Sequence, residues 1–184
     1  MNINQARQEL AQHNKLGIPI LYSAFIYWAV MLGLGFFIEN VKLLSVIYLY
    51  GTGMLLPTGI WIAKLMNIKL FRKVNPLSSL SGILASTPAI MVPLTIYIYL
   101  TDPSAVPFTI AVITAGHFFP FAWLYQTKAY VFPSVFMMVG SSLGLIIWPD
   151  LPFFTIPVVM MVCLAGIILG AMMEKKTTHL EASA

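Results

Sequence analysis

Residues 106–125 read VPFTIAVITAGHFFPFAWLY, and this stretch decides the fold. It contains no Asp, Glu, Lys or Arg, and the next cation, Lys128, lies beyond Gln126 and Thr127. A helix rises about 1.5 Å per residue, so a run of this length covers the roughly 30 Å hydrocarbon core of a bilayer. In lipid the backbone must satisfy its own hydrogen bonds, which leaves helices and closed barrels. Barrel strands alternate polar and apolar positions. This run is apolar throughout, so it reads as a membrane-spanning helix.

Five more stretches share its character, at 18–37, 43–63, 80–100, 129–148 and 153–173. Across the chain 59% of residues are hydrophobic and 9% charged, against about 25% charged in soluble domains. The mean hydropathy is +0.88. The expectation is an all-α polytopic bundle of six transmembrane helices forming one domain over residues 1–184. With the N-terminus inside, Lys42 is the only Lys or Arg on the outer side; the basic residues of the N-terminal segment, the 64–73 loop, Lys128 and the C-terminal tail all fall inside. Glu39, Asp102 and Asp150 lie outside, which does not disturb the assignment because orientation follows Lys and Arg. Both termini are therefore expected in the cytoplasm. The net charge of +4 is then a topology signal and gives no reason to expect a nucleic-acid partner.

The first stretch is longer than the apolar core of a cleaved signal peptide and is followed by no small-x-small site, so it reads as a retained anchor. Ahead of it, Ile3, Ala6 and Leu10 share one helical face. That segment is either a helix lying on the inner surface or a frayed polar terminus.

Every later stretch contains proline: Pro57, Pro88 with Pro93, Pro120, Pro133 and Pro157. Each removes one intrahelical hydrogen bond, and kinked helices leave gaps. Ser78, Gly82 and Ser86, Gly140 and Gly144, and Gly166 and Gly170 recur at four-residue spacing, the pattern of close helix–helix seams. Trp61, Trp123, Tyr125 and Tyr130 near the inner boundary, with Tyr97, Tyr99 and Trp148 near the outer, read as interfacial belts. Gly53-Met54-Leu55-Leu56-Pro57 matches Gly116-His117-Phe118-Phe119-Pro120 as Gly-x-apolar-apolar-Pro, a hint of related hairpins.

His117 is the one ionisable side chain near mid-depth, and such residues are costly enough in lipid to suggest a role. Thr114 and Pro120 lie one turn either side of it. Matching depth brings Ser86 and Thr87 of the third stretch and Tyr27 of the first to a similar level. These six residues are the candidate ligand site. The same histidine reads more simply as neutral polar glue between helices. No Asp or Glu lies inside a stretch, and there is no His-Glu-x-x-His, Walker loop or Gly-x-Ser-x-Gly elbow. The single cysteine, Cys163, allows no intrachain disulfide and has no partner motif for zinc. No enzyme activity, metal or cofactor is expected.

The stretch from Gly116 to Tyr125, behind a short polar N-terminus and among compact spans, resembles small uncharacterised bacterial membrane proteins of about this length. The resemblance implies a multi-pass protein of the bacterial cytoplasmic membrane and supplies no activity. Two function classes remain: transport or binding of a small neutral or hydrophobic solute near His117, and a non-catalytic scaffold or accessory subunit. The partners implied are the lipid bilayer, a small-molecule ligand, and a homo-oligomer or another membrane protein.

Overall fold

The computed structural model describes residues 2–70 and 72–181, with side chains described as far as residue 174. Among the described residues it holds nine α-helices and no strand. The first, α1 (Ile3–His13), opens on a capping box: the Asn2 side chain accepts from the Asn4 N–H and the Gln5 side chain from the Asn2 N–H. Its apolar face buries Ala6, Leu10 and Ala11. Of the two readings of this segment, the structure has a helix laid against the bundle.

Lys15, Leu16 and Gly17 then take φ of 48°, 54° and 72°. A left-handed residue other than glycine costs roughly 1–2 kcal/mol, so Lys15 and Leu16 are held against their preference. The Tyr130 hydroxyl donates to the Leu16 carbonyl at 2.6 Å and fixes the turn. It reverses the chain into α2 (Ile18–Gly35), which starts with Pro19 in its first turn.

Next come α3 (Val41–Thr52) and α4 (Leu55–Leu65), bent by 46° at the break between them. Pro57 cannot donate to the Gly53 carbonyl, and Gly51 and Gly53 are weak helix formers, which accounts for the bend. Two side chains of α2 hold this region: Ser23 donates to the Leu55 carbonyl at 2.7 Å and Tyr27 to the Tyr48 carbonyl at 2.9 Å. The segments α5 (Leu77–Ile90) and α6 (Val92–Thr101) meet at Met91, between Pro88 and Pro93. The remaining helices are α7 (Val106–Leu124), α8 (Val131–Ile147) and α9 (Pro152–Glu181).

Among the described residues, four segments are long and apolar enough to cross a membrane: 15–35, 77–101, 103–124 and 152–174; the bent α3–α4 pair makes five if it counts as one span. This is fewer than the six stretches read from sequence, because α8 has only 17 residues.

The centre of the bundle is α2, α7 and α9, with α4 on α2 and α8 on α7 and α9. Trp28, Met160 and Leu164 are buried there, with Tyr48 reaching in from α3. Two of the three small-residue seams are genuine: a Cβ on Gly140 would meet Val159 at 3.0 Å, and one on Gly170 would meet Ala129 at 3.0 Å. The first contact joins α8 to α9 and the second joins the turn before α8 to the far part of α9, so the two helices run antiparallel. The Gly-x-apolar-apolar-Pro match is not structural repetition. It straddles the bend in one place and runs through unbroken α7 in the other.

Candidate functional site

The helix ends near α1 decide the site. Both α4 and α7 stop at a left-handed residue, Asn67 (φ 56°) and Gln126 (φ 53°). The Ile68 N–H then returns to the Ala63 carbonyl and the Thr127 N–H to the Ala122 carbonyl, the bonding of a Schellman cap. Both loops therefore turn under α1 and bind it. His13 Nε2 donates to the Lys69 carbonyl at 2.9 Å, and Gln126 Nε2 donates to Asn4 Oδ1 at 3.2 Å. Asn75 Nδ2 donates to the Ala6 carbonyl and to Glu9 Oε2. The Arg7 guanidinium donates through Nε and Nη2 to the Trp123 carbonyl and lies 4.3 Å from the Trp123 ring centre. A cation on the last carbonyls of α7 complements that helix's negative end.

Above α1, the α2 and α4 side of the bundle stands apart from α5 and α7, leaving a cavity of about 330 Å³. That is near the lower limit of ligand pockets, roughly 300–1,000 Å³. The α7 wall is one helical stripe, His117, Phe121 and Tyr125 at i, i+4 and i+8, with Phe118 beside it. The rings pack on one another: His117 lies 4.7 Å from Phe118 and 5.4 Å from Phe121, and Tyr125 lies 6.1 Å from Tyr130. The α5 wall is small and polar, with Ser78, Ser81, Gly82 and Ala85. Leu21 and Leu56 face them from α2 and α4, Leu10 and Asn14 come from α1, and Arg72 and Lys73 line the loop side.

Two lining residues carry buried polar atoms that make no hydrogen bond of good geometry among the described residues, His117 Nδ1 and Asn14 Oδ1; the Thr114 carbonyl, one turn back on α7, acts on the imidazole only as a weak partner. Leaving such a group unsatisfied costs about 1–3 kcal/mol. Asn14 uses its other end, donating to the Tyr125 hydroxyl at 3.4 Å. A third such atom, Ser141 Oγ, belongs to α8 and does not line the cavity.

Of the six residues singled out from sequence, only His117 lines this cavity. The Thr114 hydroxyl donates to the Ile110 carbonyl at 2.7 Å, within its own helix. Pro120 is half-buried in α7, off the lining stripe. Ser86 is exposed and donates to the Ile83 carbonyl, and Thr87 also lies off the lining face. Tyr27 lines a separate cavity of about 210 Å³ between α2 and the α3–α4 bend. The difference is one of helical phase: Ser86 and Thr87 share the depth of Ala85 but lie about 100° and 200° around the axis.

The third small-residue seam is corrected in the same way. A Cβ on Gly82 would meet nothing within 4 Å, so this glycine borders open space and no helix. Tyr125 and Tyr130, assigned from sequence to an interfacial belt, are buried in the cavity wall. Trp61, Trp123 and Trp148 remain exposed, as a belt requires. Asn14 was not singled out from sequence; its place three residues before Gly17, between two apolar faces, was the available signal.

Residues 3–174 match the model of DUF7010, a family of unknown function, and the chain belongs to that family. No curated protein and no solved structure matches it.

Proposed function

For this member of a family without an assigned activity, we propose a six-span protein of the bacterial cytoplasmic membrane that binds and moves a small neutral or hydrophobic solute. Both termini face the cytoplasm, so the cavity opens near the inner leaflet. The sixth span is α8. Its 17 residues reach about 25 Å, and the exposed Trp148 closes its far end. An even number of spans agrees with the one-sided distribution of Lys and Arg.

The observation that carries the reading is the cavity itself: apolar and aromatic walls with His117 and Asn14, each holding an unsatisfied polar atom, among its lining. Ligand sites are mostly apolar with a few convergent polar groups. The test is uptake of a panel of uncharged and lipophilic solutes into proteoliposomes, alongside the His117→Leu variant. Saturable uptake that the variant loses while keeping its fold supports the proposal. Absence of flux and of binding across the panel overturns it.

A second reading, an accessory or scaffold subunit, is favoured by one observation. Only 6% of the apolar window in segment 77–101 is buried, against 39–44% in the other three single spans. A partner helix or a second copy could cover α5 and α6. Purification in mild detergent with a stoichiometric partner would favour this reading over transport.

A further inference from the structure

The lining of the cavity is sorted by chemistry. Its charged members, Arg72 and Lys73, are both cations and both exposed. Ser78, Ser79 and Ser81 follow them in the first turns of α5. Further along the same helix come Gly82 and Ala85, about 10 Å from Ser78 at the far end. Leu21, Phe118 and Phe121 face this deeper part. No Asp or Glu lines the cavity among the described residues, and Glu9, nearby on α1, is held by Asn75.

From this arrangement we propose that the solute is a single-chain amphiphile with an anionic head. The head sits at Arg72 and Lys73 within reach of the α5 serines, and the alkyl chain runs past Phe121 toward His117. The proposal rests on the binding function above and departs from it in one respect: the hydrophobic solute carries a charged head. A purely hydrocarbon solute would have no use for two cations at the mouth, and a free inorganic anion none for the aromatic wall. The limited volume favours one chain over a two-chain lipid. Positive-inside topology explains why the loop is basic. It does not explain why two of the loop's cations line the cavity.

The experiment uses the full chain in phosphatidylcholine nanodiscs, titrated calorimetrically with dodecyl phosphate, dodecanoate, dodecanol and inorganic phosphate, with empty nanodiscs as the partition control. Both alkyl anions are expected to saturate at one per chain, with dodecanol on the order of tenfold weaker, the scale of a few surface cations acting on one anion. Inorganic phosphate should neither bind nor compete. The double variant Arg72→Gln, Lys73→Gln should bring the alkyl anions to the level of dodecanol and leave dodecanol unchanged, which also reports that the cavity has survived. Equal wild-type affinity for dodecanol, or indifference to the double variant, overturns the head-group assignment while the cavity still binds. Competition by inorganic phosphate overturns the amphiphile class in favour of a free-anion site. If none of the four binds, this proposal fails together with the binding function it rests on.

Discussion

Replacing Gly82 by alanine separates an open cavity from a packed helix seam, because the same substitution elsewhere in the bundle meets a neighbour. In the interior of a helix, alanine is favoured over glycine by about 0.5–1 kcal/mol. At Gly82 nothing lies within 4 Å of the added Cβ, so that gain is kept whole. At Gly170 the new atom would stand 3.0 Å from Ala129 Cβ and 3.6 Å from its Cα. Backbone there cannot step aside as a flexible side chain would, and overpacking of this kind costs about 1–3 kcal/mol. The propensity gain is common to both sites, so the two variants should differ by about that amount, with Gly82→Ala the more stable. The assay is reversible unfolding in mixed micelles, followed by far-UV circular dichroism against the mole fraction of SDS. Gly82→Phe extends the test by placing a ring in the cavity, which should abolish solute binding while the protein still folds. If Gly82→Ala destabilises as much as Gly170→Ala, the Gly82 face of α5 is packed against a neighbour and the cavity argument collapses.

Tyr130→Phe removes the donor to the Leu16 carbonyl and should destabilise by about 1–3 kcal/mol; faster amide exchange around residues 15–17 should accompany the loss, and unchanged exchange there refutes the role given to the hydroxyl. Arg7→Ala should release α1 from the end of α7, seen as faster exchange across Ile3–His13 with α2 and α9 unaffected. Continued protection of α1 would mean that Asn75 and His13 suffice to hold it. In a Cys163→Ala background, a membrane-impermeant maleimide should label Lys42→Cys in intact cells and Lys128→Cys only after permeabilisation. The opposite pattern would invert the proposed orientation.

The apolar runs and the prolines made the helical class legible, because helix length and hydropathy are properties of consecutive residues. His117 was legible for the same reason: one imidazole among apolar neighbours needs no partner to be noticed. Its surroundings were not. Depth along a span can be counted from sequence, but which face of α5 turns toward α7 depends on how the helices rotate against one another. Ser86 and Thr87 were matched to His117 by depth and missed by phase, while Ser81 and Gly82 occupy the facing wall. The α1 contribution was hidden differently. Three successive left-handed residues at 15–17 carry little sequence signal beyond Gly17, and without that reversal Leu10 and Asn14 would not reach the cavity at all. Tyr27 was drawn into the candidate site by its depth, whereas its hydroxyl closes a structural bond to the Tyr48 carbonyl.

The uneven burial of the spans has a mechanical consequence. On one side the cavity is bounded by α2, which is clasped between α4 and α9. Moving that wall means disturbing the centre of the bundle. On the other side α5 packs chiefly against α7, with lesser contact to α1 and α6, and none of its residues is buried. The chamber thus has one stiff wall and one compliant wall, the compliant one pressed inward by lipid. Its working volume is then a property of the bilayer as much as of the protein: looser, thinner or more fluid membranes let α5 yield, and ordered ones hold it in. If the proposed solute binding holds, discrimination between solutes by length should sharpen as the surrounding lipid becomes more ordered.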